Sequence, residues 1–346
     1  MAPTSLSDTK TYNQQHLQWN PGNLEESAIG VLSNPLSGGN KRGLNSIKKL
    51  LADRPEVLHY EARNPAEVDN VLLTFGKAGI KLLVINGGDG TIQAVLTSIF
   101  NRKPFGNIPL LAILKAGTTS MTAGDIGLPG RGSKALSQLL YQMDKNQTIQ
   151  VVQRPIMEVK HDNVISRYGM FFGAAVIPQG IEFFHQRVNR PGLRGELGPG
   201  LVMVRFLLAI LGFQRQKILR PIPMAIQVNQ QHDTTKNDYL IVLASSLERL
   251  FLGLHPYWGE EDAPLHFTSV TSKARHLLRT MFQLTRGRRP RYTTPEHGYQ
   301  SHNAKQIKIF CASPYTLDGQ IYHPADDKFP IIIRHGGTLS FVQLQT

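Results

Sequence analysis

A compact apolar run, Leu82-Leu83-Val84-Ile85, leads directly into Asn86-Gly87-Gly88-Asp89-Gly90-Thr91, and the residues that follow set Ile92, Val95, Leu96, Ile99 and Phe100 at helical spacing. That order reads as a buried strand, a glycine turn and an amphipathic helix. The glycines let the backbone approach a ligand where a Cβ would stand in the way. The amides of Gly90 and Thr91 fall at a helix N-terminus, which attracts anions. The helix dipole supplies only about 0.3–1 kcal/mol, whereas micromolar affinity needs about 8 kcal/mol. The loop therefore needs partners before it can hold a nucleotide. Asp89 is its odd member, because a carboxylate beside a phosphate repels it unless it holds a metal ion, a cation or a hydroxyl. Taken alone, the hexapeptide also reads as a tight turn with Asp89 as a helix cap.

The residues around it repeat the pattern. A short strand at Ile29–Leu32 runs into Asn34-Pro35-Leu36-Ser37-Gly38-Gly39-Asn40-Lys41, and a helix follows with Leu44, Ile47, Leu50 and Leu51 on one face. A strand near Glu56–Tyr60 and a helix carrying Val68, Val71, Leu72 and Phe75 come next. A buried strand at Leu110–Leu114 leads into Lys115-Ala116-Gly117-Thr118-Thr119-Ser120, and a helix with Leu136, Leu139, Leu140 and Met143 closes the series. Strands alternating with helices predict an α/β N-terminal nucleotide-binding domain with a mostly parallel sheet. Its ligands belong beyond the carboxyl ends of the strands. After about residue 150 short β-rich runs dominate, at 149–152, 156–160, 168–175, 225–228, 239–244 and 307–310. They predict a largely antiparallel, β-rich C-terminal domain, with helical insertions near Leu201–Phe213 and Ser272–Leu284. Arg334-His335-Gly336-Gly337-Thr338 reads as a hairpin turn.

Three loops thus share one logic. They offer Asn34, Ser37, Gly38 and Lys41; then Gly87, Gly88, Gly90 and Thr91; then Gly117, Thr118, Thr119 and Ser120. Together they supply amides, hydroxyls and a lysine, enough for a triphosphate cradle. Neither GxxxxGK[ST] nor a strand-following GxGxxG is present. A fourth stretch, Tyr315-Thr316-Leu317-Asp318-Gly319-Gln320, sets an acid at a strand end beside a glycine.

The set Asn34-Pro35-x-Ser37-Gly38, Gly87-Gly88-Asp89-Gly90-Thr91, Gly117-Thr118 and Leu317-Asp318-Gly319 resembles the diacylglycerol kinase catalytic family, which includes bacterial lipid kinases, sphingosine kinases and ceramide kinases. The resemblance implies a two-domain kinase that uses ATP and Mg²⁺, holds nucleotide between its domains and phosphorylates a lipid hydroxyl. The chain itself reads as a flexible leader over 1–22, a nucleotide domain over 23–150 and a β-rich lipid-substrate domain over 151–325, and the resemblance implies that about 326–346 return to the nucleotide domain. By the same resemblance Asn34, Ser37, Gly38, Gly88, Gly90, Thr91 and Thr118 contact nucleotide, with Gly87 and Gly117 in the same loops. Asp89 and Asp318 fall at catalytic acids, and Asp318 also at a Mg²⁺ ligand. The chain departs from the family at Ser120-Met121, where an amide and an acid are usual, and at Gln320, where glutamate is usual. Glutamine keeps an acceptor but loses the charge that would hold a metal ion. Diacylglycerol leads as the substrate, then ceramide or a sphingoid base. NAD kinase and a pseudokinase that binds lipid or nucleotide without transfer are the other readings.

Charge and composition bound the partners. A formal charge of +13 favours anionic partners. A lone cysteine, Cys311, excludes a disulfide framework and a thiolate metal site. The polar N-terminus lacks a signal-peptide core, and the longest apolar stretch, Leu201–Phe213, is too short to span a bilayer. A cytoplasmic protein peripherally bound to the inner membrane is expected. A basic amphipathic segment over Ser272–Leu284, followed by Arg286, Arg288 and Arg289, reads either as an interfacial helix or as a packed helix with a solvated basic tail. No nucleic-acid-binding pattern is present, and the sequence leaves the oligomeric state open.

Overall fold

The computed structural model describes residues 16–19, 28–117, 120–162, 164–188, 220–229, 236–250, 253–284, 291–324 and 326–344. Thr118, Thr119, the Leu201–Phe213 segment and the arginines at 286, 288 and 289 lie outside the described residues. The chain divides into two compact units, one of Gln14–Ile156 and Gly337–Thr346, the other of Met157–Gly336.

In the first unit, β2 (Ile29–Ser33), β3 (Val57–Glu61), β4 (Leu82–Gly87) and β5 (Leu110–Lys115) form a parallel sheet in the order β3-β2-β4-β5. The far end of β16 (Ile331–Gln343) joins it in parallel, with Phe341 opposite Leu111. All six residues of β4 are buried, as expected of an interior parallel strand covered on both faces. The helices are α1 (Asn40–Ala52), α2 (Pro65–Ala78), α3 (Asp89–Arg102), α4 (Met121–Ile126) and α5 (Gly132–Asp144). Local chemistry fixes their ends. Asn64 accepts the Glu67 amide at 3.0 Å as the cap of α2, while the Glu67 carboxylate accepts the Arg63 amide at 2.7 Å, and Pro65 stands in the first turn. Gly79 closes α2 at φ +69. Val31, Val84, Ala112 and Leu114 pack against Ile47, Leu136 and Leu139 to make the core.

Part of the stretch read as a leader is structured. β1 (His16–Trp19) pairs antiparallel with Ile149–Val152 of β6 (Ile149–His161). Trp19 packs on the core of the unit, which gives the strand apolar area as well as ladder bonds.

The second unit is antiparallel. β8 (Phe171–Ala175) lies between β14 (Tyr315–Leu317) and β10 (Lys236–Ser245). β14 pairs with β15 (Gln320–Tyr322). From β10 the ladder runs through β9 (Ile222–Val228) and β13 (Gln306–Phe310) to the start of β16. β11 (Leu265–Thr271) pairs with β10 and with β12 (Tyr299–Ala304), and β7 (Arg167–Gly169) pairs with β6. Among the described residues its α-helices are α6 (Val176–Val188) and α7 (Leu277–Leu284).

Three local expectations change. Residues 334–338 form no hairpin, because β16 runs through them as one strand. The glycine pair instead makes room, since a Cβ on Gly336 would stand 2.7 Å from the Tyr168 ring, and Gly337 adopts φ +144. The helix expected from Ser272 starts only at Leu277, after His276 takes φ +57, a conformation that does not continue into a helix. The run 168–175 splits at Met170 into β7 and β8, for a reason found at the acid described below. Among the described residues no helix is long and apolar enough to cross a membrane.

Candidate functional site

In the first unit three loops follow β2, β4 and β5 at the carboxyl ends of parallel strands and are bonded to one another. Asn34 sits at the centre. Its side-chain oxygen accepts the Leu36 amide at 2.9 Å, which turns its Nδ2 toward Thr91, where it donates to Oγ1 at 2.9 Å. Its backbone amide donates to the Asn86 carbonyl at 2.9 Å. The Ser37 hydroxyl accepts the Gly88 amide at 3.1 Å. Asn40, buried at the start of α1, donates to the carbonyls of Asn34 (2.8 Å) and Asn86 (2.9 Å). The third loop joins through the Gly39 amide, which donates to the Ala116 carbonyl at 2.8 Å. Gly38 is exposed at the rim of this arrangement, as is Lys41.

The second and third loops meet at Gly88 and Gly117. A Cβ built on Gly117 would lie 2.8 Å from the Gly88 Cα, so only glycine allows this approach. Asp89 makes the stronger tie. Gly88 is the cap residue of α3, so Asp89 does not cap its own helix. Its carboxylate reaches across to α4, where Oδ2 accepts the Met121 amide and Oδ1 the Thr122 amide, each at 3.0 Å. A buried carboxylate thereby satisfies first-turn amides that α4 cannot satisfy itself. Ser120 precedes them at φ +45, and its hydroxyl donates to the Gly117 carbonyl at 2.9 Å, closing the loop on itself. The other end of α4 carries Asp125, whose Oδ2 lies 3.8 Å from Nε of the buried Arg154 on β6. Asn40 and the Asp125–Arg154 pair are missing from the sequence reading. An asparagine six residues after Asn34 in a glycine-rich loop was a usable signal, but a pair separated by a helix and a strand offers none.

In the second unit Asp318 is buried and forms the turn between β14 and β15 with Gly319. Both have positive φ, +47 and +83, as the two central residues of a type I′ hairpin turn require. The Asp318 carboxylate accepts the Phe171 amide at 2.9 Å and the Met170 amide at 3.1 Å through Oδ2. That bond draws Met170 out of the ladder and separates β7 from β8. The Met170 carbonyl is held from the other side by the Ser245 hydroxyl (2.9 Å) and the Ser246 amide (3.0 Å). A Cβ on Gly169 would fall 2.3 Å from Asp318 Oδ2. Gln320 is exposed on β15, opposite Leu317. Beside the turn, Tyr315 stacks between Phe172 and Tyr322 at centroid distances of 5.3 and 5.6 Å. Burial pushes its phenol above the ordinary tyrosine range, although Arg167 opposes the shift.

Among the described residues these donor sets do not by themselves complete a magnesium centre. Among the described residues no group of three His, Cys, Asp or Glu side chains could hold a metal ion. Asp318 already coordinates two backbone amides, and Gln320 brings no charge.

Residues 28–153 match the family model of the diacylglycerol kinase catalytic domain. No curated protein matches the sequence at a significant level. Two solved structures from Bacillus anthracis str. Sterne are similar in fold. One, provisionally named a diacylglycerol kinase, aligns with a TM-score of 0.61 at 16% identity over 92% of this chain and 98% of its own. The other, named a diacylglycerol kinase, aligns with a TM-score of 0.56 at 15% identity over 92% of this chain and 97% of its own. At such identity the likeness speaks for the fold alone.

Proposed function

We propose that this chain, which belongs through residues 28–153 to the diacylglycerol kinase catalytic family, is an ATP-dependent kinase of a lipid alcohol, with diacylglycerol the leading substrate. The observation that carries this reading is the closed circuit of hydrogen bonds joining the three loops of the matched segment. In this reading Asn34, Ser37, Gly38, Gly87, Gly88, Gly90, Thr91, Gly117 and Thr118 cradle the phosphates, with amides at the N-terminus of α3 facing the negative charge. Asp89 is a positioning residue, because its carboxylate holds the third loop and α4 in register with the second.

Asp318 is the acid offered to the lipid. Its bonds to Met170 and Phe171 fix the carboxylate, and carboxylate oxygens have capacity for a further donor. The substrate hydroxyl passes its proton to that carboxylate as its oxygen bonds to the γ-phosphorus, and the β–γ bridging oxygen leaves with ADP. Members of this family generally use a divalent metal with ATP. Mg²⁺ commonly binds through substrate phosphates and water rather than a dedicated protein cage, which suits a chain with no acid cluster among its described residues. The enzyme works peripherally at the inner membrane face.

The test presents purified protein, Mg²⁺ and γ-labelled ATP with diacylglycerol, ceramide, a sphingoid base and NAD, the lipids in mixed micelles. Label is expected in a lipid, diacylglycerol first. Label in NAD alone overturns the lipid-kinase reading. Nucleotide binding without transfer to any acceptor supports a pseudokinase instead, the outcome that Ser120 and Gln320 would favour.

A further inference from the structure

A lipid kinase must bring its acid to a hydroxyl at the surface of a membrane, and the second unit carries a feature of the right kind close to Asp318. The turn between β6 and β7 ends in Val164 and Ile165, 44% and 73% exposed, and Ile165 is the most exposed large apolar side chain among the described residues. Isolated exposed aliphatic residues are ordinary. Two adjacent ones between β6 and β7 are different, because together they present a continuous apolar step to solvent. The Val164 amide donates to the His161 carbonyl at 3.2 Å.

The residues behind the tip are graded in polarity. Lys160 and Asp162 flank the turn and are exposed. Arg167 follows, its guanidinium 4.2 Å from the centroid of the Tyr322 ring. Glu158 and Arg334 neutralise each other through bonds of 2.8 and 3.2 Å. Lys160 and Arg167 against Asp162 leave the tip net positive, in a chain of formal charge +13. Gly169 then abuts the Asp318 carboxylate. From Ile165 to Gly169 is four residues, at most about 13 Å of extended chain. The polar layer on each side of a bilayer is roughly 5–7 Å thick. An apolar tip at the edge of the hydrocarbon would thus keep Gly169, and the Asp318 carboxylate it abuts, within about 13 Å of that edge, just above the headgroups.

We propose that Val164 and Ile165 form a membrane-docking wedge that seats the second unit on an anionic lipid surface, with Arg167 at the headgroups and Asp318 above them. The inference rests on the lipid-kinase reading for its purpose, but its test needs no turnover. Full-length wild type and the Val164→Ser/Ile165→Ser double variant are sedimented, without nucleotide, with vesicles of phosphatidylcholine mixed with phosphatidylglycerol. Loss of two buried aliphatic side chains should weaken partitioning by about tenfold or more. In parallel, the indole emission of I165W should shift to the blue when vesicles are added. Both substitutions lie at an exposed tip, and an unchanged circular dichroism spectrum verifies folding. Equal sedimentation of wild type and double variant overturns the proposal, as does no sedimentation of wild type or an unmoved emission of I165W. If the tip instead joins two copies of the chain, the double variant changes the concentration dependence of the hydrodynamic size and leaves vesicle binding intact, which also overturns it. A protein that docks through the tip yet transfers no phosphate would refute the kinase reading and leave the docking inference standing.

Discussion

Replacing Asp89 by Asn tests whether this acid acts by holding the third loop. The substitution keeps one acceptor oxygen and turns an NH₂ group toward a backbone amide that had donated to a carboxylate oxygen. One of the two 3.0 Å bonds, to Met121 or Thr122, is therefore lost and its amide left facing a donor. A hydrogen bond to a charged group contributes about 1.5–3 kcal/mol, and removing the charge beside a helix N-terminus costs about 0.3–1 kcal/mol more. Asp89 is 8% exposed, so solvent screens little of this. The local cost is about 2–4 kcal/mol, or roughly thirty-fold to several-hundred-fold in a local opening equilibrium. Hydrogen exchange reads it directly. Protection of the Met121 and Thr122 amides should fall by that factor, with exchange in the buried strand β4 changed far less. Displacing a phosphate-binding loop by about 1 Å typically costs about a hundred-fold in rate, so kcat should fall more than KM for ATP rises. Unchanged exchange at both amides would show that the carboxylate does not hold them. Loosened amides with full turnover would show that the loop they anchor is not part of the reaction.

The remaining predictions address other contacts. Gly117→Ala places a methyl 2.8 Å from the Gly88 Cα, and should lower thermal stability by about 1–3 kcal/mol and weaken nucleotide binding measured by calorimetry. Gly169→Ala drives a methyl to 2.3 Å from Asp318 Oδ2, so transfer should drop sharply while nucleotide affinity holds; equal losses in both would refute a role confined to the acceptor side. Asp125→Ala leaves the Arg154 guanidinium buried without its carboxylate and should cost about 3–5 kcal/mol in urea unfolding of the full chain. For Glu158, burial pushes the carboxyl up, but hydrogen bonds from Arg334 and Ser166 together with the Arg334 charge outweigh it and hold the net pKa below the ordinary value of 4.5. A depressed folded-state pKa means stability present above the unfolded value and lost as pH falls through the folded one. Acid titration should therefore destabilise wild type below about pH 4.5 more steeply than Glu158→Gln.

The first unit was legible because its information is local. β4 announces itself as an unbroken apolar run, α2 by Val68, Val71, Leu72 and Phe75 at helical spacing, and each loop by glycine and hydroxyl residues after a strand. The long-range circuit was not legible. Nothing in Asn40 states that its amide will span the Asn34 and Asn86 carbonyls, and nothing in Asp89 states that it will reach thirty-odd residues along the chain to another helix. The sequence offered two roles for Asp89, cap or catalytic acid. The structure adds a cap of a different kind, on α4 rather than on α3. In the second unit two misread strand segments turn on side chains from elsewhere in the fold. A strand pattern cannot show where a side chain will take a backbone amide out of the ladder, as Asp318 does at Met170, nor whether a glycine pair turns a strand or carries it through a crowded place, as at Gly336 and Gly337.

Asp318 shows how an unused local signal bears on function. Asp-Gly between two short runs is among the strongest sequence signs of a type I′ hairpin, and both residues do take positive φ. The turn fixes the backbone of the acid, and the amides of Met170 and Phe171 fix its carboxylate, so the group is oriented before any substrate arrives. Orientation of that kind is also what a purely structural aspartate would show. The two roles separate on replacement by Asn, which has the same shape, keeps one acceptor and also favours the left-handed turn. A structural Asp318 predicts that Asp318→Asn loses stability in proportion to one hydrogen bond to a charged group, about 1.5–3 kcal/mol, with turnover following the folded fraction. A proton-accepting Asp318 predicts a fall in kcat of about a hundred-fold or more at temperatures where the variant is fully folded, because an amide cannot take the hydroxyl proton. Measuring kcat against the folded fraction across a temperature series therefore decides between them, and a constant ratio would remove Asp318 from the chemistry.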